Sequence, residues 1–380
     1  MDADMNAEEQ SVIDMIQRFA VDVLAPVAHE IDETGEFVSR HLKGMAELGL
    51  MGMNLPEVYG GAGLRPEIMF EGIAAIAGAC GSTASMLTAH YLATDSIMIG
   101  GDDDLRQRYL PGAASGELLG AFALTEPRAG SNPTDMMTHA ERENGSYKLN
   151  GVKHFISNGG VADFIVVYAK TDMDAGHNGI SAFVVDKATP GFSAGPAEKT
   201  MGLKGGHIYE LSFENCAIPI QNRIGEEGTG FRTAMKVLDN GRVEVAAMCV
   251  GIAEAAFHAA RDWMKERKVS ERPIERFQGL QWMLADMATD LRAARLLSLD
   301  ASIKRGKGER FSLEAGMAKL HASEMAARVT DKALQIHGGF GYTRDMPLER
   351  YVRDVRIMRI YEGSSEIQRN IIARDLLTRS

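Results

Sequence analysis

The chain has 380 residues, roughly two to three times a typical domain of about 150, so two or three folding units are expected. Its 45% hydrophobic and 24% charged residues match the globular average and disfavour long disorder or fibrous repeats. Lys plus Arg number 41 against 52 Asp plus Glu; the formal charge of −11 argues against a nucleic-acid partner, whose footprint is basic.

The opening MDADMNAEEQ is acidic and lacks the basic and apolar regions of a secretory signal and the arginines of a transit peptide. From there to about residue 118 the period is helical. Val12, Ile13, Ile16, Phe19, Val23 and Leu24 recur at three- and four-residue steps until Pro26 closes the run. Further helices are predicted around 39–50, 67–79, 82–99 and 103–115. Between 119 and 227 the texture changes to short β-branched and aromatic runs (GAFALT, SYKLNG, KHFISN, DFIVVYAK, ISAFVVDK, YELSFENCAIP) bounded by turn residues. An antiparallel barrel or sandwich is the natural packing for such a block. Over 228–380 the helical period returns, with helices predicted near 229–267, 275–305, 312–336 and 365–377, enough for a four-helix bundle. The first carries Gly241 and Gly251 inside, each costing roughly 1 kcal/mol against Ala. Close helix packing or close approach by a ligand would explain that cost. The chain is thus mainly α with a central β domain: an N-terminal helical domain (1–118), a middle β domain (119–227) and a C-terminal bundle (228–380). No apolar run approaches the ~18 residues that span a bilayer, so a cytoplasmic protein without a membrane partner is expected.

Several common chemistries lack their residues. Gly339-Phe340-Gly341 and Gly61-Ala62-Gly63 do not complete a dinucleotide fingerprint, and no GxxxxGK[ST], HExxH or GxSxG occurs. Cys80, Cys216 and Cys249 form no CxxC pair, and the ten histidines show no ligand spacing, so neither a disulfide framework nor a metal site is expected.

Three motifs remain. The first is Ala121-Phe122-Ala123-Leu124-Thr125-Glu126-Pro127-Arg128-Ala129-Gly130-Ser131, and the second Lys153-His154-Phe155-Ile156-Ser157-Asn158. The third joins Gln335-Ile336-His337-Gly338-Gly339-Phe340-Gly341-Tyr342, Arg350-Tyr351-Val352-Arg353-Asp354 and Ile360-Tyr361-Glu362-Gly363-Ser364-Ser365-Glu366-Ile367-Gln368-Arg369. Taken in isolation they read as a surface loop, a core aromatic and a solvated glutamate at a helix start, where Ser365 and Gln368 fit a capping box. Together, in order and in a helix–β–helix chain, they resemble the acyl-CoA dehydrogenase family.

The resemblance implies FAD as cofactor. Phe122, Leu124 and Thr125 would border the flavin, Phe155 would stack on it with Ile156 and Ser157 beside it, and Ser131 would touch both flavin and substrate. Ser364 and Glu366 would also contact the cofactor. Its pyrophosphate side would come partly from another subunit, through Arg267, Gln278, Gln335, Gly338 and Gly339. Two departures stand out: Gly130-Ser131-Asn132 replaces the usual Gly-Ser-Asp, and the Phe-Gly common after the arginine gives way to Arg267-Lys268-Val269-Ser270-Glu271-Arg272-Pro273, removing an aromatic contact on the adenylate side.

Glu362 matches the family's general base. Relatives that put the base on the long helix carry glutamate where this chain has Gly241, in Leu238-Asp239-Asn240-Gly241-Arg242. Glu244 lies roughly 60° off the face of Gly241 and is read as a packing or surface residue. By the same resemblance Asp239 and Arg242 meet the CoA portion, and Gly363 leaves room for the thioester. The implied reaction is FAD-dependent α,β-dehydrogenation of an acyl-CoA to the 2-enoyl-CoA. Electrons would pass to an electron-transferring flavoprotein, from a homotetramer built as a dimer of dimers. Leu238–Arg242, Leu284–Thr289 and Cys80–Thr83 look most like the isobutyryl-CoA branch, favouring a short or short-branched chain, although Gly241 could equally admit a wider substrate. The alternatives are an oxygen-using acyl-CoA oxidase or flavin monooxygenase on the same scaffold, and a non-catalytic acyl-CoA-binding protein.

Overall fold

The computed structural model describes residues 5–378. Six helices come first: α1 (Ala7–Phe19), α2 (Ala28–Thr34), α3 (Ser39–Glu47), α4 (Pro66–Ala79), α5 (Gly81–Gly100) and α6 (Asp103–Ala114). Helix α1 begins on a capping box in which the Asn6 side chain accepts the Glu8 and Glu9 N–H groups while the Glu9 carboxylate accepts that of Asn6. The apolar run continues beyond it as a π turn (Ala20–Leu24) and a 3-10 turn (Ala25–Val27) containing Pro26, which cannot extend an α ladder.

Eight strands follow: β1 (Gly120–Ala123), β2 (His139–Glu143), β3 (Ser146–Ser157), β4 (Phe164–Lys170), β5 (Ile180–Asp186), β6 (Phe192–Ala194), β7 (Ile208–Pro219) and β8 (Arg223–Ile224). They form one sheet in the order β6-β7-β3-β2-β4-β5-β8, with β1 beside β4. The expectation of a wholly antiparallel domain is corrected at two pairings, since β1 and β2 both run parallel to β4. Alternation along a strand marks which face is buried but carries no information on direction, which the long connections decide.

Strands β4 and β5 bury both faces. Ile165, Val167, Phe183 and Val185 meet Tyr147, Leu149, Leu211 and Phe213 inside the curled sheet. Phe164, Val166, Tyr168 and Val184 instead face Ala93 and Ile97 of α5 and Leu105 and Tyr109 of α6. Double-sided burial is why these strands read as unbroken apolar runs.

The chain then forms α7 (Gly230–Glu266), a small hairpin of β9 (Lys268–Val269) and β10 (Arg272–Pro273), α8 (Gln278–Gly306), α9 (Ser312–His337), α10 (Gly339–Tyr342), α11 (Leu348–Arg356) and α12 (Ser365–Thr378). Helix α7 packs against α4, α5, α8 and α9. A single apolar core runs through residues of α1, α4, α5, α7, α8 and α9, so helices from the two ends of the chain share one interior. By length and composition alone α7 could cross a bilayer, which corrects the expectation that no segment qualifies. Within the fold, 72% of its apolar window is buried.

Gly251 explains itself in this packing. A Cβ there would lie 2.0 Å from the Ala74 carbonyl oxygen on α4, so the two backbones touch only because glycine has none. Gly251→Ala should force α4 and α7 apart and destabilise the protein by about 1–3 kcal/mol or more, read as a fall in the thermal unfolding midpoint. An unchanged midpoint would show that the contact can relax freely.

Candidate functional site

Glu362 lies in the link between a 3-10 turn (Ile357–Arg359) and α12, with a left-handed φ of 50°. Such a conformation costs a non-glycine residue about 1–3 kcal/mol and persists only where its surroundings hold it. Here they do. Lys319 of α9 is fully buried, and its Nζ donates to the carbonyl oxygens of Tyr361 at 3.0 Å and Gly363 at 2.7 Å. Gln368 of α12 donates through Nε2 to the carbonyls of Glu362 at 3.1 Å and Gly363 at 3.0 Å. Gly363 has φ 87°, and a Cβ on it would lie 2.5 Å from Gln368 Nε2. The capping box is therefore not formed: Gln368 is occupied with the Glu362 link, and Ser365 Oγ donates to Glu324 at 2.7 Å. The oxygen that accepts the first-turn Ile367 N–H, at 3.4 Å, belongs to Ser364 instead.

The Glu362 carboxylate points at α7. Its Oε2 is closed off from solvent, has no hydrogen-bond partner, and lies 2.2 Å from where a Cβ of residue 241 would stand. Leu92 of α5 reaches within 2.8 Å of the same point. Gly241 is thus the notch that admits the acid, and the space it opens is already filled by Glu362 rather than left for a wider substrate. Burial pushes the Glu362 carboxyl up to about 7, against the opposing pull of the Lys319 and Arg242 cations. Burial likewise pushes the Lys319 ammonium down to about 8. Arg242 is buried against Asp239, which also accepts the Ser312 hydroxyl at 2.5 Å. The Arg242 Nε is left buried without a partner. Of the two readings of Glu244, packing or surface, the fold selects the first: it is a fully buried acid beside Arg305 and Asp95.

The first two motifs are bolted together. Lys153 is wholly buried, and its Nζ donates to Glu126 Oε1 at 2.8 Å and to the Leu124 carbonyl at 2.9 Å. The Glu126 carboxylate also accepts the N–H groups of Met137 and Thr138, at 2.6 and 3.0 Å. Burial lowers the Lys153 ammonium to about 8 and opposes ionisation of Glu126. The ion pair and these donors nevertheless hold the Glu126 carboxyl below its ordinary value. The closed pair anchors the loop carrying Thr125 and Ser131 beside the strand carrying Phe155. That ring is 59% exposed at φ 58° and stacks on His154 at 4.0 Å. Thr125 and Ser157 are half-buried and Ser131 is exposed. Phe122 leans on Tyr168, Leu124 is buried toward the helices, and Ile156 packs its side chain inside the sheet while its carbonyl accepts the Gly159 N–H at 3.1 Å.

Helix α5 carries both halves. His90 Nδ1 accepts the Gly120 N–H at 2.9 Å, and Asn158 ties the Met86 carbonyl on α5 to that of Gly120 on β1, while Leu92 borders the Gly241 notch.

A separate cavity of about 600 Å³ is lined by Trp263, Arg267, Phe277, Gln335, Gly338 and Phe340, among others, and by none of the groups around Glu362. The Arg267 guanidinium sits over the rings of Trp263 and Phe340, at 5.9 and 5.3 Å. Gly338 adopts φ 60° with ψ −134°, a glycine conformation, and nothing stands within 4 Å of a Cβ on Gly338 or Gly339. In the stretch that lacks Phe-Gly, Ser270 and Glu271 form a left-handed turn in the β9–β10 hairpin, and Phe277 further along lines the same cavity as Arg267. Gln278 is exposed at the start of α8 and does not line the cavity; Ser364 and Glu366 lie at the start of α12.

An exposed ring on constrained backbone, polar loop groups and a cationic, aromatic cavity with two Cβ-free positions fit a large planar dinucleotide such as FAD. Lys319 and Gln368, which hold the Glu362 link, are absent from the motif reading of function. A sequence signal existed for Lys319: a lysine at helical spacing with Ala315, Ala322 and Ala326, where an apolar residue belongs.

Residues 6–117, 121–216 and 228–377 match the N-terminal, middle and C-terminal domain descriptions of acyl-CoA dehydrogenase. The chain is 43% identical over 374 residues to the short-chain-specific acyl-CoA dehydrogenase of Clostridium acetobutylicum, covering 98% of this chain and 99% of the relative. It is 42% identical to an acryloyl-CoA reductase (NADH) of Anaerotignum propionicum, covering 100% and 97%. The solved structure of butyryl-CoA dehydrogenase from Megasphaera elsdenii superposes with a TM-score of 0.97 at 37% identity, covering 99% and 100%.

Lys319→Met removes a cation that favours the ionised form of Glu362, so this carboxyl should titrate above about 7. A ¹³C NMR titration reads the shift; a midpoint at or below the native one would mean that the ammonium does not act on the acid.

Proposed function

Since the chain belongs to the acyl-CoA dehydrogenase family, FAD-binding oxidoreductases of acyl-CoA thioesters, we propose that it removes hydrogen from Cα and Cβ of a short acyl-CoA, straight or branched, to give the 2-enoyl-CoA. The observation that carries this reading is the Glu362 carboxylate: half-buried, its Oε2 closed off and without a hydrogen-bond partner, and poised near neutrality. A general base works best with a pKa near the operating pH, and an unengaged oxygen is free to take a proton.

Glu362 takes the α-proton. Its own N–H has no acceptor among the described residues, and the left-handed backbone leaves it as a donor for the thioester oxygen, where negative charge develops. Lys319 and Gln368 keep this link in place, so carboxylate and N–H are presented without reorganisation. Phe122, Leu124, Thr125, Ser131, Phe155, Ile156 and Ser157 would hold FAD on the sheet side, with Ser364 and Glu366 at α12. Arg267, Gln278, Gln335, Gly338 and Gly339 would serve its phosphate and adenylate side, across a subunit boundary in a homotetramer. When bound, FAD supplies the acceptor for the hydride lost from Cβ. An electron-transferring flavoprotein is the proposed electron partner, in the cytoplasm.

Short acyl chains are supported by what lies beyond the base. Met248 follows Gly241 by two turns of α7; its Sδ is 3.7 Å from Thr88 Oγ1 and 3.8 Å from Tyr361 Oη, and the Tyr361 hydroxyl is 2.9 Å from Met358 Sδ. With the acyl chain running from Glu362 toward Met248, these side chains would limit its length. Similarity to an acryloyl-CoA reductase supports a second reading, the reductive direction, in which Glu362 gives Cα its proton.

In Glu362→Gln, flavin reduction by butyryl-CoA should fall by about 10²–10⁴-fold while FAD stays bound. In the native enzyme kcat/KM should rise with pH through about 7, as the acid loses its proton. Normal turnover by the variant would remove Glu362 as the base. Met248→Ala should improve hexanoyl-CoA relative to butyryl-CoA by about tenfold in flavin reduction, and an unchanged ratio would place the chain-length limit elsewhere.

A further inference from the structure

Helix α7 carries a second buried acid one turn beyond Gly241. Glu244 is 2% exposed and its Oε2 has no hydrogen-bond partner. Residues three apart on a helix are neighbours, so Glu244 adjoins the notch in which Glu362 Oε2 lies. The groups around it come from three directions: Asp95 and Tyr91 from α5, Arg305 from α8, and the Glu362 carboxylate. Arg305 reaches Glu244 Oε1 at 3.5 Å and Asp95 Oδ2 at 3.7 Å. Asp95 also accepts from Asn240 at 2.6 Å and Asn54 at 2.7 Å.

Two carboxyls thus share one guanidinium in the interior. Burial favours the protonated form of each, and the charge of Asp95 adds to this for Glu244, while the Arg305 guanidinium opposes it for both. Abstraction of the α-proton uses none of this, and the core does not need it: apolar replacements of buried ionic clusters are often neutral or stabilising. The cluster does have a direction. Arg305 lies in the last turn of α8 and its side chain is 14% exposed, whereas the two acids are closed off. A line of polar groups therefore starts at Glu244, one helical turn from the notch that holds Glu362 Oε2, and runs with Asp95 and Arg305 to the end of α8.

Glu362 needs such a line. Once it holds the substrate's proton its Oε2 faces Gly241 and Leu92 rather than solvent, yet the acid must be ionised again before the next dehydrogenation. We propose that Glu244, backed by Asp95 and Arg305, is the relay through which the Glu362 proton exchanges with solvent between turnovers. The step moves one proton and no electrons. The O–H bond of Glu362 breaks and one to Glu244 forms, directly or through one water; the Glu244 O–H bond then breaks in turn as a proton passes to water at the Arg305 end. This inference rests on Glu362 being the base.

The test uses the FAD-loaded enzyme, anaerobic and without an electron acceptor. Flavin reduction in a single turnover requires only that Glu362 take a proton. Loss of deuterium from 2,2-dideuterobutyryl-CoA into solvent also requires that the proton leave Glu362. Glu244→Gln is expected to slow deuterium loss by about tenfold or more while flavin reduction stays within about twofold. Asp95→Asn, assayed in the same way, should slow it too and decides the matter if Glu244→Gln does not fold. Deuterium loss at the native rate in the folded variants overturns the relay, as does an equal fall in both rates, which would mean a general disturbance of the site. Glu362→Gln keeps the two readings apart: if it still reduces flavin, the base assignment fails, whatever Glu244 does.

Discussion

The Glu362 carboxylate stands where the side chain of residue 241 would begin, and much of the surrounding architecture follows from that one substitution of space. Helix α7 gives up a Cβ at Gly241, and the link before α12 turns left-handed at Glu362 to fill the vacancy. A strained link needs restraint, and Lys319 and Gln368 supply it by binding the carbonyls of residues 361–363. Enclosure raises the acid toward neutrality, while the buried cations of Lys319 and Arg242 limit the rise. Conformation, packing and acidity are therefore one arrangement, and a change at any of these residues reaches the others.

The same economy governs the sheet side. A buried lysine is destabilising unless every donor is answered. Lys153 is answered by Glu126, the Leu124 carbonyl and, more weakly, Met136 Sδ, and Glu126 in turn holds two backbone N–H groups of the loop that follows. The pair converts a long surface loop into a fixed wall next to the exposed ring of Phe155. Helix α5 then sets this wall against the Glu362 notch, because it touches β1 through His90 and Asn158 and borders α7 through Leu92. The distance between the cofactor side and the base is in this sense a property of one buried helix.

Much of the order of elements was legible in the residues. The three-part division of texture, the long helix with its two glycines, and the strands rich in Val, Ile and Phe all reflect periodicity, which local backbone geometry imposes on any chain. Strand direction was not legible, because it depends on what lies alongside; the apolarity of α7 is written in its residues, and only the neighbours that bury it awaited the fold. Gly241 and Gly251 show the limit well. Each announces a close approach, but only the fold reveals that one admits a carboxylate and the other a neighbouring backbone carbonyl.

At the site the division is similar. The motif containing Glu362 carries its chemistry in the sequence, and resemblance to a family suffices to single it out. Lys319, Glu244, Asp95 and Arg305 come from distant positions that no local spacing joins to Glu362, and Gln368, though within the motif, reads locally as a helix cap. Residue types and their order determined the class of fold, the acid and the cofactor expected beside it. Tertiary structure alone decided which charges are buried together, and hence the acidity of Glu362 and the path open to its proton, since desolvation and Coulomb forces depend on distances in space and not along the chain.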